Sequence, residues 1–176
     1  LERKFRAEQY RSQLRVLDTE LRRFLSRLLT KPPAAAGIVD RIVERMHGEI
    51  DALYAEGARR KSDFFRDLAG SRYLALAEEE GRVRGVSFDL LAGLFDNAIL
   101  DVENSAEAAG DFDQHAAIAL KGLPDADPAL TTAVARVSAL TLEQIGSVGT
   151  GYGRQRLPFP EGRIRSEILC HGLGAH

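Results

Sequence analysis

Residues 7–29, AEQYRSQLRVLDTELRRFLSRLL, decide the fold of this chain because their apolar positions repeat with alternating spacings of three and four. The repeat consists of Ala7, Tyr10, Leu14, Leu17, Leu21, Phe24 and Leu28. Such a 3.5-residue period places all seven on one seam of an α-helix, which must be buried against another helix or a partner chain. We therefore treat Tyr10, Leu14, Leu17, Leu21, Phe24 and Leu28 as a possible interface.

A second seam follows a short connection. The first helix is expected from about Glu2 to Leu29, and 31–33 (Lys-Pro-Pro) stops it because proline lacks the amide hydrogen that a helix needs. The next seam contains Val39, Val43, Met46, Ile50, Leu53 and Gly57. The two seams together predict an all-α fold, an up-and-down helical bundle built on a long antiparallel coiled-coil-like hairpin. Whether the second helix continues to Ala69 or breaks near Gly57 stays open.

The region after the hairpin is less uniform. Residues 71–86 fit either a helix or a β-hairpin with Gly81 in its turn, and we favour the helix. A further helix should begin after Ser87 and bury one apolar face, formed by Leu91, Leu94, Phe95, Ala98, Ile99 and Val102. Asp127 and Pro128 then open a last clear helix. Its expected buried stripe is Leu130, Val134, Val137 and Leu140.

From Gly149 onward the composition changes to glycine, proline and arginine. We expect a helical bundle over residues 1–148 and an irregular Gly/Pro-rich C-terminal tail over 149–176. Apolar residues return only near the end of the tail. The tail should pack on the bundle or dock to a partner.

Composition sets broad limits on the 176-residue chain. One cysteine excludes an internal disulfide, and no apolar run is long enough to cross a membrane. A cytoplasmic protein is expected, and an excised periplasmic domain is the alternative. Because the sequence starts at Leu1, it could also be a fragment of a larger protein.

Charge is distributed unevenly along the chain. Residues 1–31 carry nine basic and four acidic side chains, whereas 89–130 carry nine acidic and one basic. We expect the two segments to complement each other or to be solvated. Nucleic-acid binding by the basic N-terminal helix is an alternative that predicts a steep dependence of affinity on salt.

No motif predicts catalysis, a cofactor or a metal site. A di-iron bundle needs Glu-x-x-His pairs, and none of His47, His115, His171 and His176 follows a glutamate by three residues. The glycines of 149–153 lack the lysine and the spacing of a phosphate-binding loop. We therefore expect a non-enzymatic protein.

One short string has a family likeness. Residues 118–122, Ile-Ala-Leu-Lys-Gly, resemble the His-x-Leu-Lys-Gly motif of histidine phosphotransfer domains. In this sequence Ile118 stands at the phosphorylated position and cannot accept a phosphoryl group. His115, nearly one turn earlier, is expected at the surface or at a helix cap.

These patterns favour a signalling or sensory bundle that works through protein–protein contacts, as a homodimer or with another protein. The first alternative is the ligand-binding and dimerisation domain of a transcription regulator. That alternative predicts a small-molecule pocket lined by Phe64, Phe65, Tyr73 and Phe95.

Overall fold

The computed structural model describes residues 1–105, 112–124, 127–141, 143, 145–151 and 160–174. Over these residues the protein is helical, which confirms the all-α class, and contains no β-strand beyond one isolated bridge. The helices are α1 (Glu2–Ser26), α2 (Ala35–Gly48), α3 (Ile50–Leu53), α4 (Phe65–Arg84), α5 (Phe88–Glu103), α6 (Phe112–Lys121), α7 (Pro128–Ser138) and α8 (Glu167–Gly174).

The chain divides into two compact units, Leu1–Ser138 and Ala139–His176. The first unit contains α1 to α7 and the core. In the second, the Gly149 amide donates to the Arg163 carbonyl at 2.9 Å, and the Arg165 amide donates to the Gly149 carbonyl at 2.8 Å. A 3₁₀ turn (Glu161–Arg163) and α8 lie beside this bridge in sequence, within the segment expected to be irregular.

Helix α1 buries the seam that its sequence predicts. Ala7, Tyr10, Leu14, Leu17 and Leu21 are at most 6% exposed, and Phe24 and Leu28 are partly buried against the same core. Val16 and Leu25 widen the buried face. The helix ends at Ser26, five residues before the lysine that precedes the two prolines.

Ion pairs fix the direction of α2 relative to its neighbours. Arg22 pairs with Asp40 at 2.8 Å, while Arg11 pairs with Asp51, so residue numbers rise along one segment and fall along the other. Helix α1 and the α2–α3 segment are therefore antiparallel. The same reasoning makes α2 and α4 antiparallel, through Arg45 with Glu79 at 3.0 Å and Glu49 with Arg72.

The second arm of the expected hairpin is short. Helix α2 ends at Gly48, α3 adds one turn, and the chain then leaves the helix before Gly57, which takes a left-handed φ of 74°. The break near Gly57 is thus the alternative that the chain adopts. Helix α1 also packs along α5, so its partners extend beyond α2.

Residues 71–84 continue α4 and form no hairpin. Gly81 lies inside the helix, where a Cβ atom would stand 2.7 Å from the Val86 carbonyl oxygen. The α4–α5 connection folds back tightly over this glycine. The helix ends at Arg84, and the next residue, Gly85, has a left-handed φ of 68°, which is common just after a helix C-terminus.

Helix α5 buries the whole predicted face from Leu91 to Val102. The stripe predicted for α7 is not buried: Val137 is 50% exposed, Leu140 is 64% exposed, and no residue of the helix is fully buried. Asp127 does cap α7, because its Oδ1 accepts from the Ala129 amide at 2.8 Å. The expected burial of this stripe failed because, among the described elements, α7 has a substantial contact only with α6.

A membrane-spanning helix was sought among the described residues, and none is both long and apolar enough.

Candidate functional site

The four aromatic residues expected around a pocket do not surround a common cavity. Tyr73 and Phe95 stack on each other in the core with ring centroids 5.0 Å apart. Phe65 packs edge-on against Tyr10, and Phe64 is 75% exposed at the start of α4. Three of the four rings are therefore packing residues, and the fourth, Phe64, lies at the surface.

The possible interface on α1 is mostly covered by this chain. Tyr10, Leu14, Leu17 and Leu21 are at most 4% exposed, so they present little surface to a partner. Phe24 and Leu28, at the C-terminal end of the seam, keep part of their surface. Any contact with a second chain through this seam is confined to that end.

Five of the seven basic side chains of α1 pair with acidic residues from other parts of the chain. Arg3 lies 3.4 Å from Glu56, Arg6 lies 3.3 Å from Asp63, and Arg22 lies 2.8 Å from Asp40. Arg11 pairs with Asp51 and Arg23 with Asp101. Of these five partners only Asp101 belongs to the acidic segment 89–130, so complementarity is achieved mainly by residues 40–63.

A cavity of about 300 Å³ opens where α1, the α2–α3 junction and α4 meet. Its lining comprises Tyr10, Met46, Glu49, Ala52, Leu53, Leu68 and Arg72. Tyr10 and Met46 are buried at 4% and 2% exposure, Ala52 is exposed, and the others are intermediate. The site thus has an apolar floor, a polar side and an open edge.

The break between α2 and α4 creates this cavity. The helix stops at Leu53, and Ala52 and Leu53 line the cavity together with Tyr10 of α1. Helix α4 then supplies Leu68 and, one turn later, Arg72. A continuous helix through residues 54–64 would not return α4 to this place.

Glu49 and Arg72 close the polar side with a two-point ion pair. The Arg72 Nε donates to a Glu49 carboxylate oxygen at 2.5 Å, and an Nη donates to the other oxygen. Bidentate pairing of this kind is directional as well as charge-assisted. It joins the end of α2 to α4 across the cavity.

Tyr10 lines the same cavity with a buried side chain that carries a neutral hydroxyl. Burial raises the pKa of Tyr10, and the nearby Tyr54 and the Glu49 carboxylate raise it further. At neutral pH the group therefore remains an O–H that can donate a hydrogen bond.

Two other cavities are more polar or smaller. One, of about 330 Å³, lies between α1, α3 and α6, and its cations Arg3, Lys4 and Arg11 each contact an acidic side chain or a carbonyl oxygen. The other, of about 190 Å³, lies beside Arg22 and Asp40, which pair with each other. Ligand sites are usually apolar with a few converging polar groups. This favours the cavity where α1, the α2–α3 junction and α4 meet, which we call the α1–α4 cavity.

His115 is buried and does not cap a helix at the surface. It is 4% exposed and meets Phe5 edge-on with ring centroids 5.8 Å apart. Among the described residues, no three histidine, cysteine or acidic side chains cluster as metal ligands would.

A scan against protein-family models found no match, and searches of curated proteins and of solved structures found none either.

Sequence patterns alone do not indicate Glu49 and Arg72 as site residues. The seams place Tyr10 and Met46 inside the bundle, and this placement is correct. Glu49 and Arg72 look like ordinary surface charges of two different helices. Their pairing depends on the α2–α4 crossing, for which the only local signal is the break near Gly57.

Proposed function

We propose that this chain is a non-enzymatic sensory domain of the helical-bundle type. A small molecule in the α1–α4 cavity would change the packing of α4 against α2. Protein–protein contacts and dimerisation would pass that change onward. The cavity carries this proposal, because a ligand there would touch α1, the α2–α3 junction and α4 at once.

The polar side of the cavity adds to this argument. Glu49 directly follows α2 and Arg72 lies in α4, so a molecule that shifts their ion pair would also shift these two helices. Interfaces between packed helices tend to have discrete arrangements, which lets a small local displacement become a larger movement. The exposed Ile168, Leu169 and Leu173 of α8 offer apolar surface for the contact step.

The test fills the cavity without any ligand. Ala52→Phe places a ring at the open edge, whereas Ala55→Phe adds the same ring three residues away at a position that does not line the cavity. We expect wild type to dimerise with increasing concentration, and Ala52→Phe to change the dimer dissociation constant about fivefold or more. Light scattering over a concentration series measures this constant.

Ala55→Phe should keep the wild-type constant, and circular dichroism should show that both variants are folded. A wild type that stays monomeric at every concentration would contradict dimerisation as the output. Equal constants for Ala52→Phe and Ala55→Phe would contradict coupling between the cavity and the contact surface.

The second candidate is the ligand-binding and dimerisation domain of a transcription regulator. The same cavity favours it, since such domains also couple a pocket between helices to a dimer contact. It differs in requiring a DNA-binding region elsewhere in a longer chain. Nucleic-acid binding by α1 is disfavoured, because five of its six arginines already pair with acidic side chains of this chain.

The finer description of the fold belongs to this proposal as well. We propose that α1 and the α2–α3 segment form the two arms of an antiparallel coiled-coil-like hairpin. The ion pairs Arg11–Asp51 and Arg22–Asp40, which run in antiparallel order, support this. A cytoplasmic location is proposed from the single cysteine.

A further inference from the structure

The charges around the α1–α4 cavity cancel. Both oxygens of the Glu49 carboxylate are used by Arg72, which leaves no full charge directed at a ligand. A carboxylate ligand would have to displace Glu49 from Arg72, and an ammonium ligand would have to displace Arg72 from Glu49. In either case a charge would lose its bidentate hydrogen bonds, at a cost that solvent reduces because the Arg72 and Glu49 side chains are 38% and 44% exposed.

The remaining surface is suited to apolar groups. Met46, Leu53 and Leu68 contribute aliphatic and thioether surface, and Tyr10 lies at the floor. A methionine sulfur packs well against aromatic rings. The volume of about 300 Å³ is roughly twice the cavity of ~150 Å³ that holds benzene in another protein.

We infer that the cavity binds a neutral, mostly apolar molecule of one or two rings that carries a single hydrogen-bonding group. The apolar part lies on Met46, Leu53 and Leu68, and the polar group meets the Tyr10 hydroxyl or the edge of the ion pair. This inference rests on the proposed function and names the class of molecule that is sensed.

Met46 provides a direct readout, because it is the one methionine of the chain and it lines the cavity. Protein labelled with ¹³C at the methionine methyl group would be titrated with benzyl alcohol, benzoate and benzylamine. These probes share a ring and differ in charge. We expect benzyl alcohol to shift the Met46 methyl signal to saturation, with a Kd on the order of 1 mM.

Benzoate and the benzylammonium ion should bind at least about tenfold more weakly than benzyl alcohol, because each would compete with the bidentate pair. If either charged probe shifts the signal at concentrations equal to or below those of benzyl alcohol, the inferred ligand class is wrong, although a sensory cavity could still stand. If none of the three probes shifts the signal, the inference is also overturned. The dimerisation of Ala52→Phe, measured without ligand, tests the sensory function separately.

A charge-removal variant tests the reason for this selectivity. Glu49→Gln frees the Arg72 guanidinium while leaving the shape of the cavity nearly unchanged. Benzoate should then bind about tenfold or more tightly than it binds wild type. The matched control is Glu103→Gln, which removes the carboxylate that faces Arg66 at 2.7 Å, outside the cavity.

Glu103→Gln should leave the affinity for all three probes unchanged. If Glu49→Gln gains no affinity for benzoate, the neutral pair does not determine the selectivity and the inference falls. Circular dichroism spectra and the Met46 signal without ligand show whether each variant keeps the fold.

Discussion

Gly81 shows how a single absent side chain shapes the α4–α5 turn. Its backbone conformation is helical, so no special φ requires glycine. The requirement comes from space, because a Cβ atom would lie 2.7 Å from the Val86 carbonyl oxygen and 3.2 Å from Leu91 Cδ1. The first of these neighbours is backbone and cannot rotate away.

We therefore predict that Gly81→Ala destabilises the protein despite the better helix propensity of alanine. The expected loss in the free energy of unfolding is about 1–3 kcal/mol, as for overpacked cores. Gly93→Ala in α5 is the control, since a Cβ there meets no atom within 4 Å and should stabilise by about 1 kcal/mol. Urea unfolding followed by circular dichroism measures both, and a stabilised Gly81→Ala would refute the close contact.

At the scale of the element, the seam of α1 is the part of the core on which the other helices assemble. Leu17 is fully buried, and its side chain lies in the same cluster as residues of α2, α4 and α5. Burying a leucine and leaving no cavity around it contributes both transfer and packing free energy.

Leu17→Ala should accordingly lower the free energy of unfolding by about 2–5 kcal/mol. The matched control is Leu29→Ala, whose side chain is fully exposed just beyond α1 and should change stability by less than about 0.5 kcal/mol. Equilibrium urea unfolding compares the two directly. Similar values for both variants would mean that the seam does not hold the bundle together.

The elements with the strongest periodicity were predictable from sequence, and the reason is physical. The seam of α1 and the apolar face of α5 repeat over several turns, and a helix with such a face has to bury it. Helix α7 shows the limit of the argument. Its stripe through Val134 and Val137 is as periodic, yet burial also requires a neighbour, which local sequence does not specify.

Contacts between distant segments account for what the sequence did not predict. Gly81 resembled a turn glycine because its role depends on Val86 and Leu91 folding back over it. Tyr73 and Phe95 looked like pocket residues because aromatic rings serve both purposes, and in the fold they satisfy each other. The α1–α4 cavity arises from the helix break near Gly57, and the sequence allowed either this break or a helix that continues to Ala69.

At the scale of the whole molecule, tyrosine burial ties stability to alkaline pH. Burial raises the pKa of Tyr10 and of Tyr73 well above the ordinary value. The Tyr73 hydroxyl is fully buried, and no described group accepts or donates a hydrogen bond to it. Tyr54 has a raised pKa as well, although the Arg60 guanidinium above its ring opposes the shift.

The sign of the effect follows from proton linkage. In the unfolded chain a tyrosine loses its proton near pH 10, whereas in the folded protein these hydroxyls keep it. The stabilising contribution is therefore complete below about pH 10 and is lost as the pH rises further. Tyr10 and Tyr73 should each lower the free energy of unfolding by about 1.4 kcal/mol per pH unit as the pH rises above about 10, and the partly exposed Tyr54 should contribute less.

Tyr73→Phe separates this contribution from the rest of the molecule. Above pH 10 the variant should lose about 1.4 kcal/mol per pH unit less than wild type, because one titrating group is gone. At pH 7 it should be equally stable or about 1 kcal/mol more stable, since it removes a buried hydroxyl without a partner. Urea unfolding at pH 7, 10 and 11 gives both the stability at neutral pH and its slope against pH. Tyr54→Phe is the control, and because Tyr54 is half-buried this variant should change that slope less. A Tyr73→Phe variant with the wild-type slope, or one clearly destabilised at pH 7, would show that the hydroxyl is solvated or hydrogen-bonded in the folded protein.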